Sequence, residues 1–154
     1  MKKIIILLTL IGMLHAEENV AKVVFDLTTS DLQTFEKKVL KGIAVHKAHY
    51  EGNLKELEVA VVIHGGAYKF FVKDPANSSF KSDKKLLEAQ PTLAKRIASM
   101  SDTYEVTFLM CKASLPKNKL QEKDIYPFVT MVPNSTIGLI DKQNEGFSYI
   151  PISD

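Results

Sequence analysis

Val59-Ala60-Val61-Val62-Ile63 is a run of five small or β-branched apolar residues that stops at His64-Gly65-Gly66. A strand with one wet face would alternate apolar and polar residues. This run does not alternate, which marks a strand inside a parallel sheet covered on both sides. Upstream, Val20 to Leu27 is a mostly apolar, β-branched run followed at once by the turn residues Thr28-Thr29-Ser30-Asp31. Ser30 and Gln33 have the spacing of a capping box, and Leu32, Phe35, Val39 and Ile43 then recur at helical spacing. Gly52-Asn53 is expected to end that helix with residues that tolerate a left-handed backbone. Downstream, Asp74 to Ser79 is a polar loop. Leu86, Leu87, Leu93, Ile97 and Met100 predict helical segments, interrupted or restarted at Pro91. Val106-Thr107-Phe108-Leu109-Met110 is a third strand that runs straight into Cys111. Sixteen residues then cross to the run from Phe128 to Val132, closed by Pro133. Asn134 or Ser135 caps a short helix through Ile137, Ile140 and Asp141, which Gly146 stops, and Phe147 to Ile152 is a last strand. Strands alternating with helical patterns predict βαβ units and a mainly parallel sheet.

The first sixteen residues are expected to stand outside this domain. Lys2 and Lys3 form a positive start, Ile4 to Leu14 is apolar, and Ala16 offers a small residue before Glu17. That is the layout of a cleavable secretory signal peptide over residues 1–16, and the run is short for a bilayer span. Residues 17–154 then form a single domain, exported to the periplasm. Without Lys2 and Lys3 the 20 basic residues fall to 18, equal to the 18 acidic ones. A near-neutral chain gives no electrostatic reason to expect nucleic acid or a charged membrane as partner.

Cys111 is the only cysteine. An exported protein with one cysteine has no internal disulfide, so its core must be held by packing, and the thiol is buried and inert, joined to another molecule, or reactive. In an open parallel sheet the ligand crevice lies beyond the carboxyl ends of the strands. Asp26 to Thr29, His64-Gly65-Gly66 and Cys111 all stand at such ends. Lys112 and a helical turn after Cys111 would favour the thiolate, while Phe108 and Met110 would oppose it by desolvation. His64 is suited to hydrogen-bond a thiolate or a ligand anion, and Gly65-Gly66 to let backbone N–H groups approach a ligand closely. The plainer alternatives are a packed cysteine and a histidine satisfied beside an ordinary turn. His46 and His49 lie one helical turn apart, but with no cysteine or carboxylate at ligand spacing they read as a solvated face or subunit contact, and no metal site is expected. The chain has no nucleophile elbow, zinc-protease motif or dinucleotide fingerprint, and no cofactor is expected.

Several blocks of this sequence resemble the DsrE/DsrF-like family of sulfur-handling proteins. They are Val61-Val62-Ile63-His64-Gly65, Phe108-Leu109-Met110-Cys111, Leu120 to Asp124, Val132-Pro133-Asn134-Ser135, and Gln143-Asn144-Glu145-Gly146-Phe147-Ser148-Tyr149-Ile150. The resemblance implies a three-layer α/β/α domain with a five-stranded sheet, assembled as a homotrimer or homohexamer. It also implies a sulfur carrier or sulfurtransferase-like role in which Cys111 holds a persulfide, with donor and acceptor unspecified. The competing expectation is a non-catalytic oligomeric module that binds a small ligand and keeps Cys111 as a structural residue.

Overall fold

Val59–Ile63 is buried along its whole length, with no residue above 2% exposure. It belongs to β2 (Glu56–Ile63), which has a parallel neighbour on each side. The computed structural model describes residues 19–154, so the expected leader at 1–16 lies outside the described residues. The other strands are β1 (Val20–Leu27), β3 (Thr107–Cys111), β4 (Val129–Val132) and β5 (Ser148–Ile152). They form one all-parallel sheet in the order β4-β3-β2-β1-β5.

Each face of the sheet has its own core, set by the two-residue period of a strand. Val59, Val61 and Ile63 point into the larger core, with Phe35, Val39, Leu40 and Ile43 from the first helical region. That region runs from α1 (Leu32–Phe35) through a π-helical segment, Glu36–Lys41, into α2 (Gly42–Gly52). Leu86, Leu93, Ile97 and Met100 of α3 (Lys84–Asp102) complete that layer. Ala60 and Val62 point the other way, into a smaller core with Val24, Leu109, Phe147 and Leu139 of α4 (Ser135–Asn144). The result is the three-layer α/β/α arrangement with a five-stranded sheet.

An aromatic cluster fixes the segment after β2. Phe35 stacks on Phe70 with ring centroids 4.3 Å apart, and meets Phe71 edge-on at 5.8 Å. Phe71 packs on Phe108 of β3 at 5.2 Å. Such pairs add about 0.5–1.5 kcal/mol each beyond the area they bury. They pin the 3₁₀ segment Gly65–Phe71 against the sheet and, within it, the fully buried Tyr68.

Several local expectations need correction. Ser30 does not cap the first helix. Asp31 does, accepting from the Thr34 N–H at 2.7 Å, while the Ser30 hydroxyl bonds the Asp154 carboxylate at 3.0 Å. An aspartate one position later is an equally good acceptor for the free N–H groups, and spacing alone does not separate the two. The left-handed residue after α2 is the exposed Leu54 (φ 57°), not Gly52 or Asn53. Pro91 does not interrupt α3, which is continuous across it. Its position is exposed, so water can satisfy the carbonyl that loses its partner. Gly146, by contrast, follows α4 with φ at 91°, a stop that suits glycine.

Gly65 and Gly66 allow the turn after β2 to close against the loop after β1. Gly65 has φ at 59°, and a Cβ on Gly66 would lie 2.6 Å from Ser30 Cβ. Gly66→Ala should therefore destabilise the protein by about 1–3 kcal/mol through overpacking. Urea unfolding would measure this, and an unchanged midpoint would show that the two loops are not in fixed contact.

Candidate functional site

The chain order creates the crevice. β1 to β4 follow one another across the sheet, and the chain then doubles back to place β5 beside β1. Crossovers in a parallel sheet are right-handed, so reversing the direction of travel moves the connection to the opposite face. The segment after β3 accordingly leaves toward the larger core, and α4, after β4, covers the other face. The carboxyl ends of β3 and β4 part at this point, the position where open α/β sheets hold ligands. Cys111 is the last residue of β3 and pairs in register with Val132.

Local sequence explains what surrounds the thiol. Pro133 ends β4, and Asn134 caps α4 by accepting from the Ile137 N–H at 2.9 Å. Ser135 is the first residue of that helix, and its N–H has no partner within the helix. That N–H is directed at the Cys111 sulfur. From the other side comes the 3₁₀ turn Lys112–Ser114, whose Ser114 Oγ lies 3.6 Å from Cys111 Sγ. The Ala113 N–H donates to the Pro133 carbonyl at 3.2 Å and ties the two diverging loops together. Beneath them the Tyr68 hydroxyl donates to the Cys111 carbonyl.

Burial pushes the Cys111 thiol up, since the residue is only 3% exposed. The Ser114 hydroxyl and the N–H groups of Ser135 and Ser114 act against it and prevail, so the thiol lies below its ordinary value. The Tyr68 phenol is driven the other way, first by burial and then by its bond to Cys111, and stays a protonated donor.

The candidate residues do not all touch the thiol. Lys112 is exposed and its ammonium is held by Glu122 Oε1 at 2.6 Å, so the groups acting on the thiol are hydrogen-bond donors instead. His64 is neither on the thiol nor on a backbone carbonyl. Its Nε2 meets Asp26 Oδ1 at 2.5 Å, and Asp26 Oδ2 accepts from the Tyr149 hydroxyl at 2.7 Å. The Gly65-Gly66 backbone is closed by the chain itself, with the Gly66 N–H donating to the Thr28 carbonyl. His46 and His49 are exposed on α2. Among the described residues no three His, Cys, Asp or Glu side chains are gathered as a metal would need. Sequence reasoning did not single out Tyr68, Ser114 or Tyr149. The signal for Asp26 was present, as a carboxylate in a mostly apolar strand. For Tyr68, which arrives from a separate segment, there was none.

The fold and site define an open, all-parallel α/β protein with a thiol at the point where its strand order reverses. Residues 22–152 match the DsrE/DsrF-like family, and the chain belongs to it. That membership points to a sulfur-relay-type role. The chain is 30% identical over 154 residues to an uncharacterised protein of Aquifex aeolicus (strain VF5), covering 98% of this chain and 64% of that one. It thus spans about two thirds of the length of that curated relative. A solved structure, the protein of unknown function MTH1491 from Methanobacterium thermoautotrophicum, is similar in fold with a TM-score of 0.53. It is 21% identical to this chain, and the match covers 85% of this chain and 98% of that one.

With its pKa held down, the Cys111 thiol should react with iodoacetamide along a pH profile whose midpoint lies below that of an ordinary thiol. Ser114→Ala removes the first of the lowering contacts and should move the midpoint up. A midpoint at or above the ordinary value in the unsubstituted protein would contradict the hydrogen-bond account.

Proposed function

We propose that this protein carries sulfane sulfur as a persulfide on Cys111. The observation that carries the reading is a thiol at the strand-order reversal, held below its ordinary pKa by Ser114 and the Ser135 N–H despite its burial. The Cys111 thiolate attacks the terminal sulfur of a donor persulfide, R–S–SH. A bond forms between Cys111 Sγ and that sulfur, the donor S–S bond breaks, and R–S⁻ departs. The sulfur moves at an unchanged oxidation level, so no external oxidant or reductant is required. The same donors that favour the thiolate also favour its return as leaving group when the sulfur is passed on. Lys112 and His64 would flank the path of the reactants.

The 3% exposure of Cys111 favours a second reading, in which the protein is a non-catalytic binding module and the cysteine is packed. Incubation with polysulfide followed by intact-mass measurement separates the two. A carrier gains the mass of sulfur on the native protein, and Cys111→Ser abolishes the gain while leaving cooperative unfolding within about 1 kcal/mol. A native thiol that loads and labels only in denaturant defeats the carrier reading.

Export to the periplasm is part of the proposal and rests on the leader-like residues 1–16. Mass spectrometry of the protein from its own cell envelope should find a chain beginning near Glu17, with added sulfur on Cys111. An intact Met1 on cytosolic protein would overturn export. We also propose self-association, as a homotrimer or homohexamer. Ile137 and Ile140 on α4 are 39% and 49% exposed, and Tyr149 and Ile150 on the edge strand β5 are 45% and 44% exposed. Apolar side chains grouped beside an open strand edge suit a second copy of the chain. Light scattering at micromolar concentration should give a mass of at least three chains, and a clean monomer would rule this out.

A further inference from the structure

Asp26, His64 and Tyr149 are far apart in sequence and come together at one end and on one face of the sheet. Val24, Val62 and Leu109 point to the α4 side. Asp26 and His64 each lie two residues further along the same strand direction, which returns them to that side, and the Cys111 sulfur is reached from it by the Ser135 N–H of α4. Tyr149 pairs in register with Val24 and shares the face. Ile63 pairs with Met110, so His64 and Cys111 are the next positions on adjacent chains, which run about 4.8 Å apart in a sheet.

The hydrogen bonds fix how the imidazole is used. Both Asp26 oxygens are engaged, one by His64 Nε2 at 2.5 Å and the other by the Tyr149 hydroxyl at 2.7 Å. The bond to Asp26 holds the Tyr149 phenol above its ordinary pKa, so it remains a donor that orients the carboxylate. A carboxylate on Nε2 selects the tautomer protonated there and leaves Nδ1 with its lone pair. Nδ1 makes no hydrogen bond among the described residues. The side chains of His64 and Asp26 are 27% and 15% exposed, enough contact with water at His64 to discharge a proton.

We infer that His64, oriented by Asp26 and Tyr149, is the general base that takes the proton from an acceptor thiol as sulfur leaves Cys111. The inference rests on the carrier reading and adds a residue to it. The proton of R–SH passes to His64 Nδ1, and R–S⁻ attacks the outer sulfur of the Cys111 persulfide. A bond forms between the acceptor and outer sulfurs, and the bond from Cys111 Sγ to the outer sulfur breaks. R–S–SH leaves, and the electron pair stays on Cys111 as a thiolate facing Ser114 and Ser135. The imidazolium then returns its proton to water. The acceptor is thus a protonated thiol rather than an oxyanion such as sulfite, which needs no base.

Few other ionisable groups surround His64. They are Asp26, Tyr149 and Cys111 on the neighbouring strands, and Tyr68 on the segment that follows it. Lys69 of that segment is held by Asp83 at 2.7 Å. On the loop after β1, Asp31 caps α1 and Asp154 is bonded by the Ser30 hydroxyl and the N–H groups of Ser30 and Asp31. α4 carries no charge from Ser135 to Ile140. Beyond that, Asp141 is exposed, and Lys142 pairs with Glu145 at 2.6 Å.

The test loads the full-length protein with polysulfide, confirms the load by mass, and follows single-turnover transfer to 2-mercaptoethanol or to sulfite. His64→Gln should slow transfer to 2-mercaptoethanol at neutral pH by roughly 100-fold, within the usual range for general-base catalysis. Transfer to sulfite should be unchanged. Asp26→Asn should lower the thiol rate by a smaller factor. Added imidazole should restore transfer in His64→Ala, a result that a merely structural role would not give. Equal losses toward thiol and sulfite, or a Gln variant matching the unsubstituted protein, would overturn the assignment while leaving the carrier reading intact. A protein that never loads overturns both.

Discussion

The reversal of strand order is the constraint on which the rest of this structure depends. Four strands follow one another across the sheet, and the fifth must return to the far edge beside β1. A right-handed crossover running backward has only the other face of the sheet available to it. α4 therefore supplies the third layer, completes the small core with Leu139, and begins beside the end of β3. The two loops that part there remain tied through Ala113 and Pro133, so the gap is a fixed feature of the fold. The first residue of α4 has an N–H that its own helix cannot use. Cys111 stands where that N–H is available.

The chemistry of the thiol is then a contest between burial and hydrogen bonding. Removing a thiolate from water raises its pKa, and here that is the largest single influence. Several donors aimed at one sulfur reverse the outcome, each small against the desolvation cost and together larger. A formal positive charge is not needed: Lys112, the obvious electrostatic candidate, is committed to Glu122 in solvent. Fixed dipoles also suit a group that must exist in turn as thiolate and persulfide, because they stabilise charge without forming a tight ion pair.

The neighbouring strand ends at the same carboxyl edge follow a different logic. Asp26 lies within a mostly apolar strand, and it is tolerated there because His64 and Tyr149 satisfy both of its oxygens. That network depends on β1 having β2 on one side and β5 on the other, the arrangement that the strand-order reversal enforces. One topological event thus accounts for the setting of Cys111 and for the pairing of the histidine two strands from the sheet's edge.

The sequence by itself determined the number of strands, their parallel character and the identity of the thiol. Val59–Ile63 could only be a doubly covered strand, and Cys111 could only end the next one, because a strand's two-residue period and its boundaries are local properties. The blocks from Val61 to Gly65 and from Gln143 to Ile150 also carried the family. Caps and breaks were only partly legible: Asp31 displaced Ser30, and an exposed Pro91 left α3 whole, since neighbouring polar residues compete on nearly equal terms and solvent exposure cannot be read locally. Only the tertiary structure decided the partners. Which donor reaches the sulfur, which carboxylate holds His64, and which loop fills the space above Gly66 all depend on segments well separated along the chain, as with Asp26 and His64, 38 positions apart. Such pairings are set by strand order and crossover handedness, and no window along the chain contains them.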